Sequence, residues 1–104
     1  MIIVVEEMKK FRELLDQNGI EWIDNSEEER DDVWICRTRS KNHDRWSVIN
    51  GIGTYGGYRI GEKNEGLLEA AIDDKVLGHL KAEESYKLVE IIEWSEKASN
   101  EKNI

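Results

Sequence analysis

Glycine is concentrated in one segment of the chain, and that segment limits what the rest can fold into. Five of the eight glycines lie within residues 46–61, which read WSVINGIGTYGGYRIG. Glycine loses more backbone entropy on folding than any other residue, so such a run indicates a sharp turn or a close approach to the main chain. The same segment holds Trp46, Tyr55 and Tyr58. We therefore predict a turn or binding loop here, positioned by the other elements.

The length of the chain, 104 residues, allows one modest hydrophobic core but not two. Hydrophobic residues make up 38% and charged residues 37%, and the four Trp and three Tyr favour a folded protein despite this polar composition. We predict a single domain over residues 1–104 with a frayed tail at 98–104. The only cysteine, Cys36, excludes an internal disulfide, and we expect it to be buried on a strand.

The net charge of −8 is distributed unevenly. Residues 33–60 carry five basic side chains and one acidic side chain, whereas the segments on both sides are acidic. A positive centre between acidic ends favours a small anionic ligand over a long polyanion, because flanking phosphates would meet the acidic ends. We accordingly expect no direct sequence-specific binding of nucleic acid.

Apolar periodicity predicts the elements in chain order. In the first half, the pattern predicts a helix over 4–18 that ends at Gly19, a short strand over 20–24, an exposed acidic loop over 25–32 and a strand over 33–40. In the second half, it predicts a strand over 45–52 in a hairpin with 33–40, a short strand over 58–60, a helix over 64–72 capped by Asn64, an edge strand over 76–80 and a closing helix from 82 to about 97. The predicted fold class is α+β, with a small antiparallel sheet of three or four strands packed against an N-terminal helix and two C-terminal helices.

The candidate site combines the basic strand with the glycine segment. Alternation places Arg37 and Arg39 on one strand face, where two guanidinium groups could clamp a phosphate while backbone amides of the glycine segment and an aromatic ring hold the rest of a nucleotide. The candidate ligand-binding residues are Arg37, Arg39, Arg45, Trp46, Gly53, Thr54, Tyr55, Gly56, Gly57 and Tyr58. Two other hypotheses remain open: that the arginines pair across strands while the aromatic residues build the core, and that this face binds a protein.

Enzymatic signatures are missing from the sequence. GIGTYGG departs from the GxGxxG pattern and lacks the Lys-Ser/Thr ending of a phosphate loop. His43 and His79 lie on different predicted elements without a nucleophile motif, so we expect no catalytic residues, no cofactor and no enzyme activity. The acidic loop at 25–32 could be a solvated connection, a decoy for a basic pocket or a divalent-metal site. It lacks the ordered ligand spacing of a calcium loop, and we predict no metal.

Four motifs carry a resemblance that covers most of the chain: EWIDNS at 21–26, WICRTR at 34–39, RWSVINGIGTYGG at 45–57 and GLLEA at 66–70. With them the chain resembles small proteins of phages and prophages in Gram-positive bacteria. The resemblance implies a setting rather than a fold. Short acidic phage proteins of this kind are often inhibitors of bacterial immunity, including anti-CRISPR proteins and sponges that sequester cyclic nucleotide or ADP-ribose signals.

The expected function is therefore inhibition of bacterial immunity by non-catalytic binding. The favoured mechanism is sequestration of a nucleotide-derived signalling molecule. The alternative is an anti-CRISPR-like protein that binds a host defence effector through its acidic loop and C-terminal helix and blocks a nucleic-acid groove. We expect no membrane association, a location in the bacterial cytoplasm, and, for a sponge, a homo-oligomer that encloses the ligand.

Overall fold

The computed structural model describes residues 2–30, 33–42, 44–59 and 61–102. Within these residues the elements are α1 Glu6–Gln17, β1 Trp22–Asp24, β2 Glu27–Arg30, β3 Val33–Ser40, β4 Trp46–Gly51, β5 Leu68–Ile72, β6 Lys75–Leu80 and α2 Ala82–Lys102. The strands form one antiparallel sheet in the order β1-β3-β4-β5-β6, and β2 pairs with β3 along the same edge as β1. Both helices contact the same face of this sheet.

The central hairpin of β3 and β4 supplies the sheet side of the core. Its buried residues alternate along both strands: Trp34, Cys36, Thr38 and Ser40 on β3, and Trp46, Val48 and Asn50 on β4. The register pairs Thr38 with Val48 and Cys36 with Asn50, so the two buried rows share one face. The predicted hairpin, its two faces and the burial of Cys36 are confirmed.

Helix α1 buries an apolar stripe of Met8, Phe11 and Leu15 against this face. The Phe11 ring meets the Trp46 ring edge-on, with centroids 6.0 Å apart. The helix ends in a Schellman arrangement, because the N–H of Ile20 donates to the carbonyl of Leu15 and the N–H of Gly19 to that of Asp16. Gly19 has φ +68° there. Glycine is favoured at such a position, and the predicted helix end is confirmed.

Arg12 connects α1 to two strands. Its Nε donates to the hydroxyl of Thr38 at 2.7 Å, and one terminal nitrogen lies 3.5 Å from the carboxylate of Asp24. The guanidinium carbon lies 4.8 Å from the centroid of the Trp22 ring. The side chain is only 13% exposed, so these partners compensate a charge that would otherwise be buried alone.

Helix α2 is the last element of the fold, and its first residue contacts α1. The N–H of Ala82 donates to the Glu7 carboxylate at 3.0 Å. Its buried face includes Tyr86, Val89 and Ile92. Burial, together with the neighbouring Glu90 carboxylate, raises the pKa of Tyr86 to about 12. The helix continues to Lys102, past the predicted end near 97. The frayed tail at 98–104 remains a prediction, and its last two residues lie outside the described part of the chain.

The predicted count of elements was wrong, because in the described part of the chain the sheet has six strands and is followed by one helix, α2, where two were predicted. Residues 68–72, predicted as part of a helix over 64–72, form β5 between β4 and β6. Leu68, Ala71 and Ile72 fit helical spacing, but a segment this short fits a strand equally well. The open edge of β4 decides the outcome, because pairing there satisfies backbone groups on both strands. Asp73 and Asp74 form the turn to β6 instead of ending a helix.

The acidic loop predicted over 25–32 was also wrong in part. Residues Glu27–Arg30 form β2, which pairs with the first half of β3 while β1 pairs with its second half. Acidic side chains are compatible with this edge because Glu27 and Glu28 remain exposed there. Positions 31 and 32 lie outside the described residues.

Three smaller expectations concern the remaining segments. The predicted edge strand at 76–80 is confirmed as β6, the last strand of the sheet. The predicted strand at 58–60 is reduced to a single parallel bridge between Ile52 and Tyr58, and Ile60 lies outside the described residues. Within the described ranges, neither helix combines the length and the apolar character needed to span a bilayer.

The corner between β1 and β2 predicts a specific dependence of stability on pH. The Ser26 hydroxyl, the Ser26 N–H and the Arg12 guanidinium all favour the ionised Asp24 carboxyl and hold its pKa below its usual value of 3.8. Because the pKa of this carboxyl is lower in the folded state than in the unfolded state, its ionised form stabilises the fold. This stabilisation is complete above the pKa of the unfolded state and is lost as the pH falls through the pKa of the folded state. We expect the difference in unfolding free energy between wild type and Asp24→Asn to be constant above pH 5 and to shrink below about pH 4. Urea titrations at several pH values measure it, and a difference that does not change with pH would contradict this role.

Candidate functional site

The segment that connects β4 to β5, residues 52–67, is called the glycine loop below. It folds back on the end of β4. The N–H of Tyr58 donates to the carbonyl of Gly51 at 3.2 Å, and the N–H of Gly53 donates to the carbonyl of Tyr58 at 2.8 Å. The N–H of Gly57 donates to the carbonyl of Thr54 at 3.1 Å. The loop is thus closed by its own backbone.

Two glycines allow this closure. A Cβ on Gly57 would collide with the carbonyl oxygen of Gly51, and a Cβ on Gly51 would collide with the backbone of Trp34 and Ile35 on β3. The close approach predicted for the glycine segment therefore occurs, and the chain itself is the approaching group. Thr54 reinforces the crossing, because its hydroxyl accepts from the N–H of Gly51 at 3.1 Å and lies 2.8 Å from the Gly51 carbonyl.

A buried amide pair fixes the far end of the loop. Asn50 is fully buried, and its side-chain nitrogen donates to the carbonyl of Leu67 at 2.7 Å. Asn50 and Asn64 also exchange hydrogen bonds between their side chains, at 2.8 and 3.1 Å. The Asn64 side-chain oxygen accepts from the N–H of Gly66 as well. Asn64, expected to cap a helix, instead fastens the loop to the core.

The tip of the loop lies against the edge strand β6. The N–H of Tyr55 donates to the buried Glu69 carboxylate at 3.2 Å, and the carbonyl of Tyr55 accepts from the N–H of His79 at 3.0 Å. Gly78 faces Tyr55 so closely that a Cβ there would collide with the Tyr55 side chain. His79 has φ +56°, uncommon for a residue other than glycine, and this backbone turns its N–H towards the loop. The backbone of Tyr55 therefore pairs with edge strand β6 at His79.

The loop and His79 of β6 line an open cavity of about 240 Å³. Its wall is formed by Gly53, Thr54, Tyr55, Gly56, Gly57, Tyr58, Arg59, Glu62, Glu65 and His79. Tyr55 is 62% exposed, and its ring centroid lies 6.5 Å from that of His79. His79 Nδ1 lies 3.2 Å from the Glu65 carboxylate. The side chains of the wall thus offer an aromatic face, two carboxylates, one guanidinium and one imidazole.

Most backbone N–H groups of residues 53–58 already have acceptors within the chain. The N–H groups of residues 53, 54, 55, 57 and 58 all donate within the chain. An anion site built from these amides, as the glycine segment suggested, is therefore already filled by the protein's own acceptors. Charge recognition in the cavity falls to its side chains.

Six of the ten predicted site residues, 53–58, lie together in the cavity wall, and the other four lie elsewhere. Arg37 and Arg39 share the outer face of β3, as expected from alternation, but not the cavity. Arg37 lies 3.6 Å from the Glu27 carboxylate on β2, which is a cross-strand pair of the kind considered above.

Arg45 and Trp46 have structural partners at the opposite end of β4. Arg45 holds the Asp73 carboxylate with two hydrogen bonds of 2.9 and 3.1 Å, and it bonds Glu96 on α2 at 2.7 Å. The hydrogen bonds from Arg45 lower the pKa of Asp73 below its usual value. Trp46 is 2% exposed and donates its indole N–H to Glu93 at 2.9 Å. Its ring faces the core, so it offers no surface for stacking on a ligand.

Sequence reasoning missed four residues of the cavity wall: Arg59, Glu62, Glu65 and His79. The first three continue the glycine segment beyond Tyr58, so extending the candidate site along the loop would have included them. His79 enters only through the pairing of β6 with β5, which no local pattern indicates. The described residues contain no group of three or more His, Cys, Asp or Glu side chains placed to hold a metal ion.

Comparisons of the chain with protein-family models, with curated proteins and with solved structures gave no match.

The backbone crossing predicts unequal effects for two glycine substitutions. Gly57→Ala places a methyl group against the Gly51 carbonyl and should destabilise the fold by about 3 kcal/mol. Gly53→Ala meets no atom within 4 Å and suffers only from φ +75°, at a cost of about 1 kcal/mol. Urea denaturation of both variants measures the difference. Equal losses would show that the crossing does not constrain the loop.

Proposed function

We propose that the chain is a non-catalytic binding protein whose cavity takes an arginine or lysine side chain from a basic surface of another protein. One observation carries the proposal: the cavity wall has two carboxylates, Glu62 and Glu65, beside one guanidinium and the His79 imidazole, around the exposed Tyr55 ring. Carboxylates form charge-assisted hydrogen bonds with guanidinium and ammonium groups. A tyrosine face adds a cation–π contact worth about 0.5–1 kcal/mol at an exposed site.

The charge of the whole chain supports the same class of partner. A net charge of −8 attracts a basic surface over long range and speeds the encounter. The resemblance to phage proteins supplies the setting, which is inhibition of bacterial immunity in the cytoplasm of the host. The partner in that setting is a defence effector with a basic nucleic-acid groove, which this chain would occupy.

Sequestration of a nucleotide signal is the second candidate function. Two features favour it: Arg59 has no ion-pair partner among the described residues, and the Tyr55 ring is free to stack on a base. The wall carboxylates could accept hydrogen bonds from ribose hydroxyls. Against it, the loop amides are engaged, Arg37 and Arg39 lie outside the cavity, and the volume is below the roughly 300–1,000 Å³ of ordinary small-molecule pockets. We therefore rank it below the basic partner.

Calorimetry with two matched peptides tests the proposal. A peptide of alternating arginine and glycine should bind, while the same peptide with citrulline in place of arginine should not, because citrulline keeps the shape and loses the charge. Glu62→Gln and Glu65→Gln should each weaken binding roughly three-fold to five-fold, because the loss of an exposed ion pair costs up to about 1 kcal/mol of binding free energy. Binding should also weaken as salt rises.

Glu13→Gln is the matched control, because it removes one exposed carboxylate from α1, far along the chain from the loop. It should leave the affinity nearly unchanged. Equal weakening by Glu13→Gln would mean that only net charge matters and that the cavity is not the site. Binding of cyclic dinucleotides or ADP-ribose, without binding of the arginine peptide, would establish the second candidate instead.

A further inference from the structure

The outward side of α2 carries two large apolar side chains that nothing in the described chain covers. Ile91 is 63% exposed and Trp94 is 71% exposed. Three residues apart on a helix, they lie on the same face. That face is opposite the one through which Val89 and Ile92 enter the core. Single exposed apolar residues are ordinary on protein surfaces, but an adjacent Ile and Trp in the middle of a helix face form a patch.

This patch lies beside Ile92, in the second half of α2. Helix α2 has 21 residues and is therefore about 31 Å long, and among its side chains described up to residue 98 the last buried one is Ile92. Beyond that point Glu93 and Glu96 bond Trp46 and Arg45, and the next two side chains, Lys97 and Ala98, are exposed. The molecule measures 52 Å in its longest direction against 24 and 21 Å in the others. The outward side of α2 is exposed at positions 87, 91, 94 and 98, which leaves room for a second helix to lie along it.

We propose that this face binds the same face of a second copy of the chain, with the two α2 helices antiparallel about a two-fold axis beside Trp94. The axis places the two Trp94 rings next to each other, and each Ile91 packs between Trp94 and Ala98 of the other copy. A two-fold interface of this kind covers identical patches on both copies at once.

The charges that flank the patch match this arrangement. Glu90 and Lys97 are seven residues apart, so they lie on one flank of the helix, two turns from each other. In the antiparallel register beside Trp94, Glu90 of each copy comes opposite Lys97 of the other. The two opposite-charge pairs are equivalent by symmetry, as flanking pairs are in antiparallel coiled coils. In a parallel arrangement this flank would face the other flank of the partner helix, so the Glu90–Lys97 pairs would not form.

The area limits the strength of this dimer. Two Trp and two Ile side chains at these exposures contribute roughly 500 Å², less than half of the ~1,200 Å² at the low end of stable specific interfaces. Contacts along the flanks must supply the remainder, and a charge of −8 on each copy opposes association. We therefore expect a dissociation constant of about 10–100 µM that decreases as added salt screens the repulsion.

Sedimentation equilibrium over a range of about 5–500 µM measures the dimer directly. The wild type should pass from monomer to dimer, and Trp94→Ser should raise the dissociation constant about tenfold or more, as removal of a central aromatic side chain does in other interfaces. Val76→Ser is the control, because it removes another exposed apolar side chain, on β6 instead of α2, and it should dimerise like the wild type. A wild type that stays monomeric throughout, or a Trp94→Ser variant that dimerises normally, overturns the proposal.

Charge exchange tests the antiparallel register separately. Lys97→Glu alone should weaken the dimer, because it places two carboxylates opposite each other on both flanks. The double variant Glu90→Lys/Lys97→Glu should restore the wild-type dissociation constant. Circular dichroism confirms that each variant is folded before it is compared. Failure of the double variant to recover, with the fold intact, overturns the register.

Discussion

The close passage of the chain over its own backbone at Gly51 and Gly57 is the constraint on which the rest of this structure depends. Gly57, in the segment after β4, turns back onto the carbonyl of Gly51, and Gly51 itself lies against β3, so that a Cβ on either glycine would collide with backbone. The buried Asn50 amide then holds the far end of the same loop through Asn64 and Leu67. With both ends fixed, the loop can cover part of edge strand β6 and leave a cavity between them. The glycines serve the fold first, and the cavity is a consequence of that folding.

Ion pairs hold three arginine side chains, Arg12, Arg37 and Arg45, at positions outside the cavity wall. Two of the three arginines proposed from the sequence have carboxylate partners in the fold, Arg37 with Glu27 and Arg45 with Asp73 and Glu96. Arg12 on α1 pairs with Asp24 in the same way. These pairs tie α1, β2 and α2 to the central hairpin. What remains at the cavity is a carboxylate excess on an acidic protein, which is why we place a basic group there before a phosphate. The net positive charge of residues 33–60 therefore does not predict the electrostatic potential at the cavity, whose wall includes Glu62 and Glu65.

How far the sequence predicts this molecule depends on the range of the interactions involved. The stripe of α1, its end at Gly19 and the two faces of β3 and β4 follow from local periodicity and were predicted. β5 was not, because Leu68, Ala71 and Ile72 satisfy a helical spacing and only the free edge of β4 selects the strand. The aromatic and glycine part of the site was predicted from residues 53–58, since these are contiguous. His79 could not be, because a strand pairing brings it there, and Trp46 was assigned to the site although the core needed its ring.

The most direct test of the central claim is a titration of the ¹⁵N-labelled protein with Nα-acetyl-arginine amide, followed by amide chemical shifts. The account predicts that the amides of residues 53–58, Glu62, Glu65 and His79 move together with one saturating curve, while those of Arg37 and Arg39 on β3 stay in place. Shifts confined to β3, or no saturating shift anywhere in the loop, would contradict it and remove the cavity as the binding site.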